Sequence, residues 1–264
     1  MTVETLAGRG VVEVTGEDRV GFLQGLVSGD VAGPLPVWAA LLTPQGKWLA
    51  DFLIFAEDDR LLLDLPRDDA GLVVERLSRF RLRSKVALRD VSDALTVEAG
   101  WDGAPLPAGA WADPRLPHLG WRRVVPRGQA TAGEGYDLHR LTFGVPDGTR
   151  DLDREKSVLL EGGFDELRGI SWTKGCYMGQ ELTARTRYRG LLKRRLFPVA
   201  IEGTAPPRDA VVTLDGREVG EMRSSRADRG LALLRLDTAG AVLTCGDALL
   251  RPAVPAWMRL TEAA

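Results

Sequence analysis

Two hydrophobic periods alternate along the chain. Val11 to Val14 is a short apolar run closed by the polar turn Thr15-Gly16-Glu17-Asp18, after which Val20, Leu23 and Val27 recur at helical spacing. This pattern predicts a strand and then an amphipathic helix over 18–27, with acids at the end that the helix dipole favours. Pro34 and Pro36 interrupt the chain, because proline lacks the amide donor that helix and sheet both need. Trp38–Leu42, Trp48–Phe55 and Leu61–Leu65 are strand-like and are joined by Thr43-Pro44-Gln45-Gly46 and Glu57-Asp58-Asp59-Arg60. Connections this short predict an antiparallel meander. Ala70–Phe80 returns to helical spacing with Val73, Leu77 and Phe80 on one face, and Lys85–Arg89 and Leu95–Ala99 read as further strands. The mixture predicts an α+β fold rather than a doubly wound parallel sheet.

Residues 102–120 are rich in Gly, Pro and Asp and read as a linker or long loop. Beyond Lys193 the runs shorten to Leu196–Ile201, Ala210–Leu214, Glu218–Ser224 and Leu231–Leu236, with the hairpin signal Asp215-Gly216 between two of them and Gly246-Asp247 ahead of Ala248–Leu250. Short strands at this spacing predict a small β-barrel. The chain therefore divides into an α+β region, 1–192, and a barrel, 193–264.

Composition narrows the function classes. The 264 residues are 44% hydrophobic and 27% charged with a net charge of -2, an ordinary globular balance with no overall pull toward nucleic acid or membrane. Anion attraction is left to the run from Arg185 to Arg195, which holds six basic residues in eleven and no acid. Only Tyr188 is aromatic in that run, which speaks against direct RNA binding. Cys176 and Cys245 are the two cysteines and His118 and His139 the two histidines, too few and too scattered for a disulfide framework, a zinc site or a self-contained iron–sulfur site. The N-terminus shows no basic and apolar leader pattern, and no apolar run is long enough to span a bilayer. A cytoplasmic monomer with no membrane association is the expectation.

The candidate chemistry lies in Lys174-Gly175-Cys176-Tyr177-Met178-Gly179-Gln180-Glu181. Glycines on both sides of Cys176 permit tight bends and close approach. A thiol near Lys174 and a helix N-terminus is expected to ionise more easily than an unperturbed one. Lys174 can alternatively hold an anion, and Gln180 and Glu181 open the next helix, where capping is one role open to them.

The stretch Gly169-Ile170-Ser171-Trp172-Thr173 followed by that octet resembles the signature of the YgfZ-type folate-binding proteins, whose mitochondrial relatives are iron–sulfur cluster assembly factors. The family is related to the aminomethyltransferase (T-protein) of the glycine cleavage system. Further pieces occur in the family's order: Val27-Ser28-Gly29-Asp30-Val31, Leu42-Thr43-Pro44-Gln45-Gly46-Lys47 with Asp51-Phe52, Asp113-Pro114-Arg115, and Arg140 through Gly144-Val145-Pro146. The resemblance implies two intertwined α+β lobes around a central folate cavity, with a six-stranded C-terminal barrel. It implies tetrahydrofolate as ligand and Cys176 as the residue active in cluster maturation, with a cluster shared with a partner, since one thiolate cannot complete a ligand set. Glu161 resembles the glutamate that contacts the pterin, where a carboxylate accepts two parallel hydrogen bonds. Arg185 and its neighbours are candidates for the folate tail or an acidic partner, and Gln180 for ligand contact. Asp51 stands where the aminomethyltransferases carry paired acids, so aminomethyl transfer is the weaker alternative, as is a part in tRNA thiomethylation. The expected partners are folate and iron–sulfur assembly proteins or client enzymes, with little or no catalysis by the chain itself.

Overall fold

The computed structural model describes residues 1–128 and 135–260, so the last four positions of the expected 193–264 region lie outside the described residues. The chain begins with β1 (Thr2–Leu6), β2 (Arg9–Thr15), α1 (Arg19–Gln24), β3 (Val37–Leu42), β4 (Trp48–Glu57), β5 (Arg60–Pro66), α2 (Ala70–Ser78) and β6 (Ala87–Asp90). It continues through β7 (Leu95–Trp101), β8 (Trp111–Ala112), β9 (Trp121–Pro126), α3 (Gly135–Thr142) and α4 (Gln180–Tyr188). The last strands are β10 (Arg194–Glu202), β11 (Val211–Leu214), β12 (Arg217–Arg226), β13 (Arg229–Arg235), β14 (Leu243–Cys245) and β15 (Ala248–Pro252).

The expected meander is present as β3, β4 and β5 in a five-stranded sheet of order β3-β4-β5-β2-β6, antiparallel throughout. A second sheet has the order β1-β7-β9-β8. Because β1 pairs with β7 rather than with β2, the chain starts in the second sheet, crosses to the first and returns. The two lobes are therefore intertwined. β10 to β15 close a barrel of order β10-β13-β12-β11-β14-β15.

The five-stranded sheet is covered on both faces, which explains why Trp48–Phe55 reads as nearly continuous apolar sequence. Successive strand side chains point to opposite faces. Ala39, Leu41, Phe52 and Ile54 join the core under α1 and α2. Trp38, Ala40, Leu42, Leu53 and Phe55 join a second core with Leu159, Phe164, Leu167 and barrel residues Leu196 and Leu233. Period-two alternation puts Asp51 on this second face.

Five elements were not apparent in the sequence pattern: β1, β8, β9, α3 and β14. In β9 the buried Arg122 replaces an expected apolar residue, and polar residues interrupt the edge strand β1. Within the expected loop 102–120, β8 pairs with β9. The second helix ends at Ser78, so Phe80, expected on its apolar face, is instead 40% exposed.

Candidate functional site

The signature loop is held to an earlier part of the chain. Ser28 Oγ donates to Gly169 O at 2.5 Å, and Ser171 N donates to Ser28 O at 2.9 Å. Lys174 Nζ donates to Val27 O at 2.8 Å and to Gly29 O at 2.5 Å. Met178 N donates to Gly25 O at 3.1 Å. These five bonds fasten the loop to the connection between α1 and β3. On its other side, Gly179 has φ 80, and a Cβ there would stand 2.5 Å from Thr43 O and 3.0 Å from Gly46 Cα. Only glycine fits both that backbone conformation and that close approach to the β3–β4 turn. Gly175 has φ 95 in open space, so there the demand is conformational alone.

Cys176 stands exposed between these glycines, four positions before α4 begins at Gln180. Lys174, expected to support the thiol, instead directs its amine at two carbonyl groups, and burial pushes its pKa down to about 8. Its place in the structure is that of an anchor. Gln180 Oε1 accepts from Tyr177 N at 3.2 Å, a bond that orders the entry to α4. Arg185 is ion-paired with Glu181 one turn before it. The basic run is not one open face: Arg187 sits 4.2 Å from the Trp172 ring and 3.6 Å from Asp165. Arg195 is buried against Glu166 at 2.6 Å.

Glu161 lies in a 3-10 turn, Leu159–Gly162. Its carboxylate accepts from Val158 N at 3.5 Å and lies 3.9 Å from Arg194 Nε. Burial raises its pKa, with Arg194 opposing. Asp51 is enclosed between two indoles: Trp38 Nε1 donates to Oδ2 at 2.9 Å and Trp48 Nε1 to Oδ1 at 3.2 Å. Trp38 is in turn stacked on Phe164 at 3.8 Å. Burial raises the Asp51 pKa to about 6 against the Trp38 hydrogen bond, which lowers it. Among the described residues no hydrogen bond or ion pair connects Cys176, Asp51 and Glu161. No cluster of three or more His, Cys, Asp or Glu suited to a metal occurs there either.

The polar constellation that the pattern of the sequence did not reveal lies between the two sheets. A cavity of about 340 Å³ is lined by Glu4, Arg9, Arg122, Tyr136, Arg140 and Asp147 among others. Neither Glu161 nor Asp51 lines it. Arg9 bridges Asp64 at 2.6 Å and Asp147 at 2.8 Å. Arg122 donates to Asp64 at 2.6 Å and to the Tyr136 hydroxyl at 2.7 Å, and Arg140 holds Asp137 and Asp151 at 2.7 and 2.6 Å. Burial alone would raise the Asp147 pKa, but Arg9 and Arg140 hold it well below the carboxylate range. The Tyr136 hydroxyl also accepts from Arg115 at 3.2 Å, so its own hydrogen has no acceptor among the described residues. Arg122 Nε is buried with its nearest acid, Asp113, 3.5 Å away. These donors suit ring oxygens and nitrogens, and the volume lies at the lower end of small-molecule sites, sufficient for a bicyclic ring but not for a long tail. The sequence signals for this network were the paired charges at Arg122-Arg123 and two pieces of the family resemblance, Asp113-Pro114-Arg115 and Arg140.

Comparison with known proteins adds to this geometry. Residues 193–260 match the family described as CAF17, C-terminal beta-barrel domain. The chain is 38% identical over 231 residues to the mitochondrial iron–sulfur cluster assembly factor IBA57 homolog of Mycosarcoma maydis, covering 75% of this chain and 57% of that protein. It is 32% identical to mitochondrial iron–sulfur cluster assembly factor IBA57 of Homo sapiens, covering 87% of this chain and 76% of that one. For the Mus musculus protein the identity is 31%, with coverages of 88% and 77%. The chain thus spans little more than half the length of the fungal relative. Its fold superposes with a TM-score of 0.74, at 12% identity, on the crystal structure of glycine cleavage system aminomethyltransferase T from Bartonella henselae, covering 96% of this chain and 85% of that one. These relatives are named as mitochondrial, which overturns the cytoplasmic expectation. Few cysteines and no long apolar run do not distinguish one reducing compartment from another.

Proposed function

The chain belongs to the IBA57 family of iron–sulfur cluster assembly factors, and from that premise we propose that it serves the assembly or repair of clusters in client enzymes, with Cys176 meeting the cluster. One observation carries this reading: the exposed thiol stands on a loop fastened by five bonds to the α1–β3 connection. A fastened loop holds a ligand in place without ordering it anew for each encounter. A single thiolate fills one position of a cluster's ligand set. The cluster is therefore cargo, shared with an assembly protein, a client, a second copy or a small thiol.

The aminomethyltransferase-like fold makes reduced folate a plausible ligand. The cleft cavity offers it Tyr136, Arg122 and a neutral balance of charge, with the ring inside and the tail outside. In the same reading Glu161 is a separate contact, because it lies off the cavity wall. Aminomethyl transfer is not favoured, since a general acid–base group must reach its substrate and Asp51 is closed off by two indoles. We also take the barrel from residue 193 on as a domain of its own.

The test is complementation. A deletion strain carrying wild type or Cys176→Ser is assayed for an aconitase-type client, with the amount of folded protein measured alongside. The serine variant is expected to accumulate normally and to leave the client inactive. Full client activity with it would remove Cys176 from the function.

A further inference from the structure

Just past the end of α2, the seven residues Arg79 to Lys85 carry four cations and two large apolar side chains. Phe80 is 40% and Leu82 90% exposed. Leu82 also has φ 40, a left-handed conformation that a bulky side chain rarely adopts. A side chain both unpacked and on an unfavourable backbone does nothing for the stability of its own chain, and such outliers mark functional segments. Beside this loop lies an open hollow of about 970 Å³ facing α1, lined by Phe22, Phe80, Leu82 and Arg83 with Glu17 and Asp18 at its rim.

The charges around the hollow are unevenly matched. Glu17 is ion-paired with Lys85, and Asp18 Oδ2 accepts from the Lys85 amide at 2.7 Å. Arg79 is ion-paired with Glu75. The guanidinium groups of Arg81 and Arg83 have no hydrogen bond or ion pair among the described residues. The loop beside the hollow thus carries two positive charges without a partner, Arg83 in its lining and Arg81 two residues before it, against one acid, Asp18, whose carboxylate meets only an amide.

We propose that this hollow and its loop are a docking surface for an acidic segment of a partner protein bearing a large apolar side chain. The apolar group enters between Phe22 and Phe80, and flanking carboxylates meet Arg81 and Arg83. Complementary charge sets the partner and its orientation, while the buried apolar anchor supplies the affinity. An anionic bilayer fits less well, because the surface is concave and two unpaired cations are a weak anchor. The hollow is joined to the Cys176 loop through α1: Phe22 lines the hollow, and Gly25, just past the end of the helix, accepts from Met178 N at 3.1 Å.

The proposal does not depend on Cys176 and is tested without it. The probe is a dye-labelled synthetic octapeptide, Leu-Phe flanked on each side by Glu-Asp and closed by glycines, followed by fluorescence anisotropy. Its controls are the same peptide with Ser-Ser for Leu-Phe and phosphatidylcholine vesicles containing phosphatidylserine. The protein is the full chain, as wild type, Leu82→Ser and Arg81→Glu/Arg83→Glu, each checked for fold by circular dichroism. The expected result is binding by wild type that falls about tenfold or more in either variant and with the Ser-Ser peptide, and that weakens as salt rises. No peptide binding by wild type, or wild-type affinity retained in either variant, overturns the proposal. Vesicle binding without peptide binding overturns it as well and assigns the surface to lipid.

Discussion

Replacing Asp51 by asparagine probes the most enclosed acid of the second core. The carboxyl is 5% exposed and takes the hydrogen bonds of two indoles at 2.9 and 3.2 Å. Its pKa is raised by burial from 3.8 to about 6, which corresponds to ~3 kcal/mol against folding once it is ionised. For an acid with a raised pKa the native state holds the proton longer than the unfolded chain does. This contribution to stability therefore declines as pH rises through 3.8 to about 6, and the cost is complete above that range. Asparagine cannot ionise, but its single carbonyl replaces only one of the two oxygens that the indoles address. The other indole is left facing an amide, at a pH-independent cost of roughly 1–3 kcal/mol. The measurement is urea unfolding of both proteins, followed by tryptophan fluorescence between about pH 4.5 and 7.5. Across that window the difference in stability should shift by ~2 kcal/mol in favour of the asparagine variant. All other titrating groups cancel in the difference. A flat difference, or one that moves the opposite way, would refute an ionisable Asp51 enclosed by the two tryptophans.

Lys174→Met should cost roughly 1–3 kcal/mol through the carbonyls of Val27 and Gly29 left without their donor. It should also speed amide exchange across residues 171–178, and unchanged exchange would remove the anchor role. Gly179→Ala should destabilise more than Gly175→Ala, because only the former adds a clash with Thr43 O at 2.5 Å to an unfavourable φ; thermal melts giving the reverse order contradict the close packing. Cys245→Ala should lower stability by about 1 kcal/mol, because its thiol is packed in the barrel core. Cys176→Ser, at an exposed position, should leave the melting temperature unchanged. Equal losses in the two cysteine variants would contradict their different burial.

The meander was legible because Trp38–Leu42, Trp48–Phe55 and Leu61–Leu65 are bounded by glycine, proline and acids, so local chemistry alone fixes their ends. β9 was not, because Arg122 is buried there by Asp64 and Tyr136, partners far along the chain that hydropathy does not record. The signature loop was found by its glycines and its cysteine. The role of Lys174 was not, since the carbonyls it binds lie 147 and 145 positions away. The family resemblance also put Asp51 and Glu161 forward as folate contacts. Strand alternation sends Asp51 into a tryptophan-lined core, and the 3-10 turn sets Glu161 beside the first barrel strand. Alternation groups Asp51 with Leu53 and Phe55, but what covers that face of a doubly covered sheet is set by packing from distant parts of the chain, and periodicity within one strand does not supply it.

The same geometry changes the expected source of salt sensitivity in partner binding. The run from Arg185 to Arg195 looks in sequence like an open basic face, yet Arg185, Arg187 and Arg195 each stand against an acid of their own chain. A cation already paired gives up one neighbour to gain another and contributes little net attraction. Among the described residues Arg81 and Arg83 have no such partner, as is also true of Arg189 and Lys193 within the run, but only the first two lie beside exposed apolar side chains at the hollow bordered by Phe22. At that hollow, ionic strength should therefore act on association through those two arginines. Charge reversal at 81 and 83 should flatten the salt dependence of a partner's association rate, whereas Arg185→Gln should leave it nearly as steep as wild type. Stopped-flow mixing with a labelled partner at several salt concentrations separates the two, and a flattened profile in the Arg185 variant would return the role to the α4 run.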